Sequence, residues 1–147
     1  MWGREMNALT SINKPHTDNI FDRTKTIEWR KSPLPKTTHY AYETLNKGGC
    51  GKVIGQFDVV EIIKFNPLGD SYRPEWLAKG CVSIEDLIKY ANGGVIYANV
   101  IENAKRFDVP KEVRDFYHIN LDYTGIVRIR KAPQSWMYCL EYEEEAQ

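Results

Sequence analysis

Apolar and polar positions alternate along much of the chain with the two-residue period of half-buried strands. The cleanest case is Thr26-Ile27-Glu28-Trp29-Arg30, which puts Ile27 and Trp29 on one face and Thr26, Glu28 and Arg30 on the other. Pro33 and Pro35 end it. An apolar run mixed with Ser and Thr predicts an earlier strand at Ala8 to Ile12, and His39-Tyr40-Ala41-Tyr42-Glu43-Thr44 predicts a later one. The turn Asn46-Lys47-Gly48-Gly49-Cys50-Gly51 then leads into a β-branched and aromatic stretch from Lys52 to about Phe65, so this pair reads as a glycine-rich hairpin. Val95 to Ile101 and Met137 to Tyr142 supply two more strands.

Helical signals are fewer. Lys14-Pro15 stands where proline suits a first helical turn, and it predicts a short helix at His16 to Phe21 anchored by Ile20 and Phe21. Propensity there is weak, so packing must hold it. Arg73 to Lys79, closed by Gly80, is a second candidate, with Trp76 and Leu77 inward. Ser83-Ile84-Glu85-Asp86 opens a better one: a serine N-cap, acids in the first turn, then Leu87, Ile88 and Tyr90, with Asn92-Gly93-Gly94 as the stop. Pro110 to Phe116 has room for one helical turn or two. Five or six strands, grouped first and last, with two to four short helices predict an α+β fold built on a mostly antiparallel sheet or small barrel.

Composition narrows the class. A chain of 147 residues with 42% hydrophobic and 27% charged positions fits one ordinary globular domain. The best apolar run, Val53 to Phe65, is broken by Gly55, Gln56, Asp58, Glu61 and Lys64, so no membrane span is expected. Met1 to Thr10 lacks the apolar core of a secretory signal, and a cytoplasmic location is expected. Cys50, Cys81 and Cys139 are too far apart, and too few, for a disulfide framework or a zinc site, and are expected to be free thiols. His16, His39 and His118 show no metal-ligand spacing. No metal or other cofactor is expected.

Net charge is zero, which argues against binding nucleic acid by bulk electrostatics. The sum hides an asymmetry: residues 1 to 52 carry nine Lys/Arg against five Asp/Glu, and residues 53 to 147 carry eleven against fifteen. Glu141, Glu143, Glu144 and Glu145 crowd the last seven positions. A local basic surface is therefore compatible with the total, and a short or modified ligand in a cleft fits it better than a non-specific coat.

Three polar clusters are candidates for chemistry. In Lys25 to Lys31, Glu28 and Arg30 project from one strand face while the Lys25 stem swings over it, a set able to hold a phosphate and a base edge. The alternative is an ion pair on a solvated strand face, worth little. Around His39, Tyr40, Tyr42 and Glu43, aromatics follow a basic segment and offer stacking at roughly 1 to 3 kcal/mol per base; strand tyrosines equally serve as packing. Arg128-Ile129-Arg130-Lys131 precedes Pro133-Gln134-Ser135-Trp136, where Gln134 and Ser135 offer donors and acceptors and Trp136 either stacks or plugs the core. No Ser-His-Asp, phosphate-loop, GxGxxG or HExxH pattern occurs.

Ser11-Ile12-Asn13-Lys14-Pro15, with Lys25-Thr26-Ile27-Glu28-Trp29-Arg30, resembles the start of an ASCH domain, a family of the PUA-like superfamily. Its signature is a glycine, any residue, Lys, two residues, Glu, one residue, Arg; here the glycine position is Arg23. The resemblance continues through Tyr42-Glu43-Thr44, Gly51 to Phe57, the helix Ser83 to Tyr90 and Pro133 to Trp136, and is similar to the subgroup common in bacteria and their phages. It covers 8–140, leaving 1–7 as an extension and 141–147 as an acidic tail. Where that subgroup often has an aromatic and a histidine after the penultimate strand's Tyr-Ala, this chain has Asn99 and Val100.

The resemblance implies a PUA-like β-barrel flanked by helices, a cleft lined by Lys25, Glu28 and Arg30, and binding of single-stranded RNA, a nucleoside or a nucleotide, with a regulatory role among the options. Combined with the polar clusters above, the expected ligand contacts are Lys14, Lys25, Glu28, Arg30, Tyr40, Tyr42, Gln134, Ser135 and Trp136, with Lys25 and Arg30 on phosphate, Glu28 on a base edge and Tyr40, Tyr42 or Trp136 stacking. Some ASCH proteins are amidohydrolases that deacylate N4-acylcytidine compounds with a Lys, a Thr and a Glu. Lys25 matches their lysine, Glu28 stands at their threonine, and Glu85 or Asp86 falls near their glutamate. An amidohydrolase is thus the rival reading and a ribonuclease a further variant. A protein-interaction role centred on the acidic tail is the third class.

Overall fold

A computed structural model describes residues 6–119 and 125–140 of the chain. Their elements run β1 (Met6–Ile12), α1 (His16–Phe21), β2 (Ile27–Arg30), β3 (Thr38–Glu43), β4 (Lys52–Phe65), α2 (Pro74–Gly80), α3 (Ile84–Ala91), β5 (Ile96–Lys111), β6 (Tyr117–Ile119), β7 (Ile126–Arg128) and β8 (Trp136–Leu140), with 3-10 turns at Asn46–Gly48 and Val113–Asp115. The alternating segments build one six-stranded sheet in the order β2-β5-β4-β3-β1-β8. All its ladders are antiparallel except β1 with β3, which are parallel because α1 and β2 lie between them in the chain. β6 and β7 form a separate two-stranded ribbon.

The expected barrel is not closed. Among the described residues no ladder joins the two edges, β2 and β8. β2 has only four residues and runs into Pro33 and Pro35, which have no N–H to give to a neighbour. One side chain bridges the edges instead. Arg30 on β2 donates from Nη2 to the carbonyl of Ser11 on β1 at 2.9 Å, and from Nη1 to Ser135 Oγ, just ahead of β8, at 3.2 Å. The sheet is thus a mixed, curled layer with a stitched seam.

Two long strands provide the curl. β4 and β5 shift register between Val53 and Gly55, Gln56 and Asp58, and Val59 and Glu61, and such bulges bend and twist a ribbon. The apolar run expected at Val95 to Ile101 is only the first part of β5, which continues to Lys111 through polar positions. Its inward residues there, Ile101, Ala104 and Phe107, come every third position, and Asn103 between them takes a left-handed φ of 56°. The helix allowed at Pro110 to Phe116 is reduced to the 3-10 turn Val113–Asp115, closed by reciprocal Glu112 and Asp115 caps. β1 is described from Met6, earlier than the apolar run suggests, and β8 is described as far as Leu140, so the expected end at Tyr142, like the acidic tail, lies outside the described residues.

Three apolar clusters fill the fold. Ile12, Ile20, Leu34, Ala41, Phe57 and Ile101 pack beneath α1; Leu9, Tyr40, Val53, Phe107, Phe116 and Ile129 pack on the other half of the sheet; Ile27, Trp29, Phe65, Leu87 and Ile96 pack under α2 and α3. α1 can approach only because of Gly55: a Cβ there would stand 2.5 Å from Phe21 Cε1 and 2.6 Å from the Lys105 carbonyl. The three thiols are free, and burial pushes that of Cys139 up to about 12. No described helix is long and apolar enough to cross a membrane.

Candidate functional site

A cavity of about 680 Å³ opens at the seam. Its wall takes residues from β1 (Ser11, Ile12), the turn into α1 (Asn13, His16), β2 and its approach (Lys25, Glu28, Trp29, Arg30), the loop after β3 (Thr44, Asn46), the α2–α3 region (Cys81, Val82, Asp86, Leu87, Tyr90) and Gln134.

Lys25 enters this wall through a tight turn. Arg23 takes a left-handed φ of 69°, a conformation for which glycine is suited, and Lys25 N–H then bonds to the Asn19 carbonyl at 2.9 Å. The Lys25 side chain is only 2% exposed. Its Nζ donates to the Gly80 carbonyl at 2.7 Å and lies 3.7 Å from Glu28 Oε1. Glu28 Oε2 in turn accepts from Arg30 Nε at 3.0 Å. One carboxylate therefore serves two cations. The alternation that predicts a half-buried strand is overridden, because Glu28 on one face and Trp29 on the other are both buried. The ion pair is accordingly not on a solvated face, and with both partners out of water, loss of either would leave an uncompensated buried charge.

The surroundings fix this triad. Gly80 closes α2 directly on Trp29; a Cβ there would fall 2.2 Å from Trp29 Nε1. Asn99, fully buried, donates from Nδ2 to the Glu28 carbonyl at 3.0 Å and accepts from Leu34 N–H at 2.9 Å, so the residue standing where the subgroup differs is a clamp between β5, β2 and the proline loop. Glu43 holds the lip: Oε1 accepts from Thr17 Oγ1 at 2.5 Å and Oε2 from Cys50 N–H at 3.0 Å. Burial alone would raise its carboxyl, but these bonds outweigh it and hold the pKa below the usual value.

His16 and Tyr90 complete the lining. Burial first, and then the positive charge of Lys25, lower His16 below the ordinary imidazole value, so the ring is neutral at pH 7. His16 Nδ1 and Trp29 Nε1 are the buried side-chain atoms without a partner among the described residues. Tyr90 turns an aromatic ring to the cavity, with Lys31 Nζ 5.2 Å from the ring centre; burial raises its hydroxyl. On α3, Ser83 Oγ accepts from Asp86 N–H at 3.1 Å, as the cap signal predicts, and Asp86 joins the wall one turn before Tyr90.

Of the residues singled out in the sequence, Lys25, Glu28, Arg30, Asp86 and Gln134 line the cavity, and Ser135 touches it through Arg30. Others lie elsewhere. Tyr40 is 2% exposed, its ring 4.9 Å from that of Phe116 and its hydroxyl accepting from Asn7 Nδ2 at 3.1 Å, and Tyr42 packs against the same cluster. Both tyrosines thus pack with the second cluster, while Ala41 between them belongs to the first. Trp136 packs on the first cluster and edge-on to Tyr138. Lys14 pairs with Asp18 at 3.6 Å, and Glu85 is exposed beside Asp86, outside the lining. His16 and Tyr90 are the residues the sequence reading passed over. Tyr90 had a signal in its four-residue spacing from Asp86, which puts both on one helical face; His16, nine residues and a turn from Lys25, had none.

No protein-family model and no curated protein matches the chain. Among solved structures, the fold is that of ASCH proteins, the class that the Lys25, Glu28 and Arg30 motif implied. The ASCH protein of Zymomonas mobilis is 18% identical, with a TM-score of 0.64 over 90% of this chain and 86% of that one. Two mutant forms of the same protein, one with tyrosine replaced by phenylalanine and one with serine replaced by alanine, give TM-scores of 0.62 and 0.63 at 19% and 17% identity.

Proposed function

We propose that this chain binds a single nucleobase, as a nucleoside or as a residue of single-stranded RNA, in the seam cavity. The observation that carries the reading is the composition of one wall: buried Lys25 and Glu28 with the partly exposed Arg30, a neutral imidazole, amide and hydroxyl groups, and the Tyr90 ring. The volume lies within the range of small-molecule sites, roughly 300 to 1,000 Å³. Hydrogen-bonding groups of both kinds beside an aromatic face suit a base better than a bare phosphate, since Lys25 and Arg30 are already held by Glu28, Gly80, Ser11 and Ser135. Their role in this reading is to set the shape and polarity of the wall. The resemblance to ASCH proteins, with its implied nucleotide-related ligands, agrees.

Titration of nucleosides and short single-stranded RNA at low salt tests it. Saturable binding is expected, weakened about tenfold or more in Tyr90→Ala, given roughly 1 to 3 kcal/mol for stacking on one aromatic. A flat titration with every nucleoside and oligomer ends the reading.

The amidohydrolase reading is favoured by one observation, that Lys25 and Asp86 share the cavity. There Lys25 would hold the attacking water while Asp86 takes its proton and passes it to the departing exocyclic amine. Incubation with N4-acetylcytidine, followed by chromatography for cytidine and acetate, decides it: turnover no faster than buffer retires the enzyme.

A further inference from the structure

The charges on the cavity wall are unequal in one respect. Lys25 and Arg30 both face Glu28, Lys25 donates to the Gly80 carbonyl, and Arg30 also donates to Ser11 and Ser135. Asp86 has no such partner. Among the described residues its carboxylate makes no ion pair and no hydrogen bond, and only its backbone N–H is engaged, by the Ser83 cap. Asp86 is also solvent-exposed, so water holds its carboxylate until a ligand on this wall displaces it.

A carboxylate has only acceptor sites. A ligand edge that presents an amino group to it gains a charge-assisted hydrogen bond, whereas a carbonyl oxygen in the same place sets lone pairs against a negative charge. The aromatic wall points the same way, since Asp86 and Tyr90 lie one helical turn apart on α3 and a ring stacked on Tyr90 brings its edge toward Asp86. Elsewhere the wall carries Lys25 and Arg30 with Glu28 between them, and Lys25 outweighs Glu28 at His16. A negative spot in that setting discriminates between ligands rather than merely attracting cations.

We infer that Asp86 is the specificity-determining residue of this cavity, and that it selects bases bearing an exocyclic amine over their keto counterparts. This rests on the nucleobase reading above.

Matched pairs test it: cytidine against uridine and adenosine against inosine, titrated into wild type and Asp86→Asn. In wild type the amino member of each pair should bind about tenfold to a hundredfold more tightly. In Asp86→Asn, whose amide can turn to donate or accept, the ratio should fall to about threefold or less by gain of keto binding. Asn is tolerated in a first helical turn, and an unchanged melting temperature will show that the variant folds. Equal wild-type affinities within each pair, or a ratio that survives the substitution, overturns the assignment while leaving nucleobase binding intact. Failure of all four nucleosides to bind overturns both.

Discussion

His39 shows how far one side chain can be taken from its solution chemistry. Fully buried and stacked on Phe57 at 5.3 Å, it donates from Nε2 to the Pro35 carbonyl at 2.8 Å and accepts at Nδ1 from Thr10 Oγ1 at 2.7 Å. Burial, the largest cause, lowers its pKa from 6.5 to about 4. The unfolded chain therefore binds this proton first as pH falls. His39 contributes fully to stability above pH 6.5, and that contribution drains away between pH 6.5 and about 4, by about 3 kcal/mol in all. Urea unfolding at pH 7 and pH 4.5 should show the loss, and His39→Gln should flatten it; equal slopes for the two proteins would exclude His39 as the source. Nothing local announces this role, because the spacing of His39 from Thr10 and Pro35 becomes meaningful only when β1 and β3 pair.

Elements were legible where the signal was local. The Ser83 cap, the Asn92 stop and the stretch from Lys52 to Phe65 each rest on neighbours in the chain, and α3 and β4 follow them closely. β5 was read short because its inward residues depart from alternation after Ile101. β6 and β7 were not anticipated: three residues each, with an exposed β7, carry almost no periodic signal. The packing of α1 on β4 is a contact between elements that composition hides in a single glycine. Gly55→Ala should destabilise the protein by about 2 kcal/mol or more, since the added methyl would overlap both the Phe21 ring and the Lys105 carbonyl of the β5 backbone. Thermal or chemical unfolding measures it, and a cost below about 0.5 kcal/mol would mean that α1 shifts without penalty.

At the scale of the whole molecule, the Lys25–Glu28–Arg30 motif was readable as residues but not as geometry. Lys25, Glu28 and Arg30 sit within six positions, so their grouping could be seen in the chain. Their enclosure could not, because it depends on α2 ending at Gly80 and on the sheet curling until its edges meet. The aromatic ring on the cavity wall was hidden for the same reason: strand tyrosines near the motif in sequence pack in another cluster, and Tyr90 arrives from far along the chain. The seam itself is testable. Arg30→Lys keeps the charge but loses the fork that reaches Ser11 and Ser135 together. Amide exchange in β2 and β8 should then accelerate relative to β3 and β4; uniform exchange across the sheet would show that the edges hold without the stitch.

Lys25 also makes the protein its own clock. An amine-acylating reagent meets Lys31 and Lys47 on the surface at once, but reaches the buried Lys25 ammonium only in the fraction of time that β2 has parted from its cover. The rate at which that one amine is modified, read against its exposed neighbours, therefore counts openings of the seam, and a molecule seated in the cavity would slow the count.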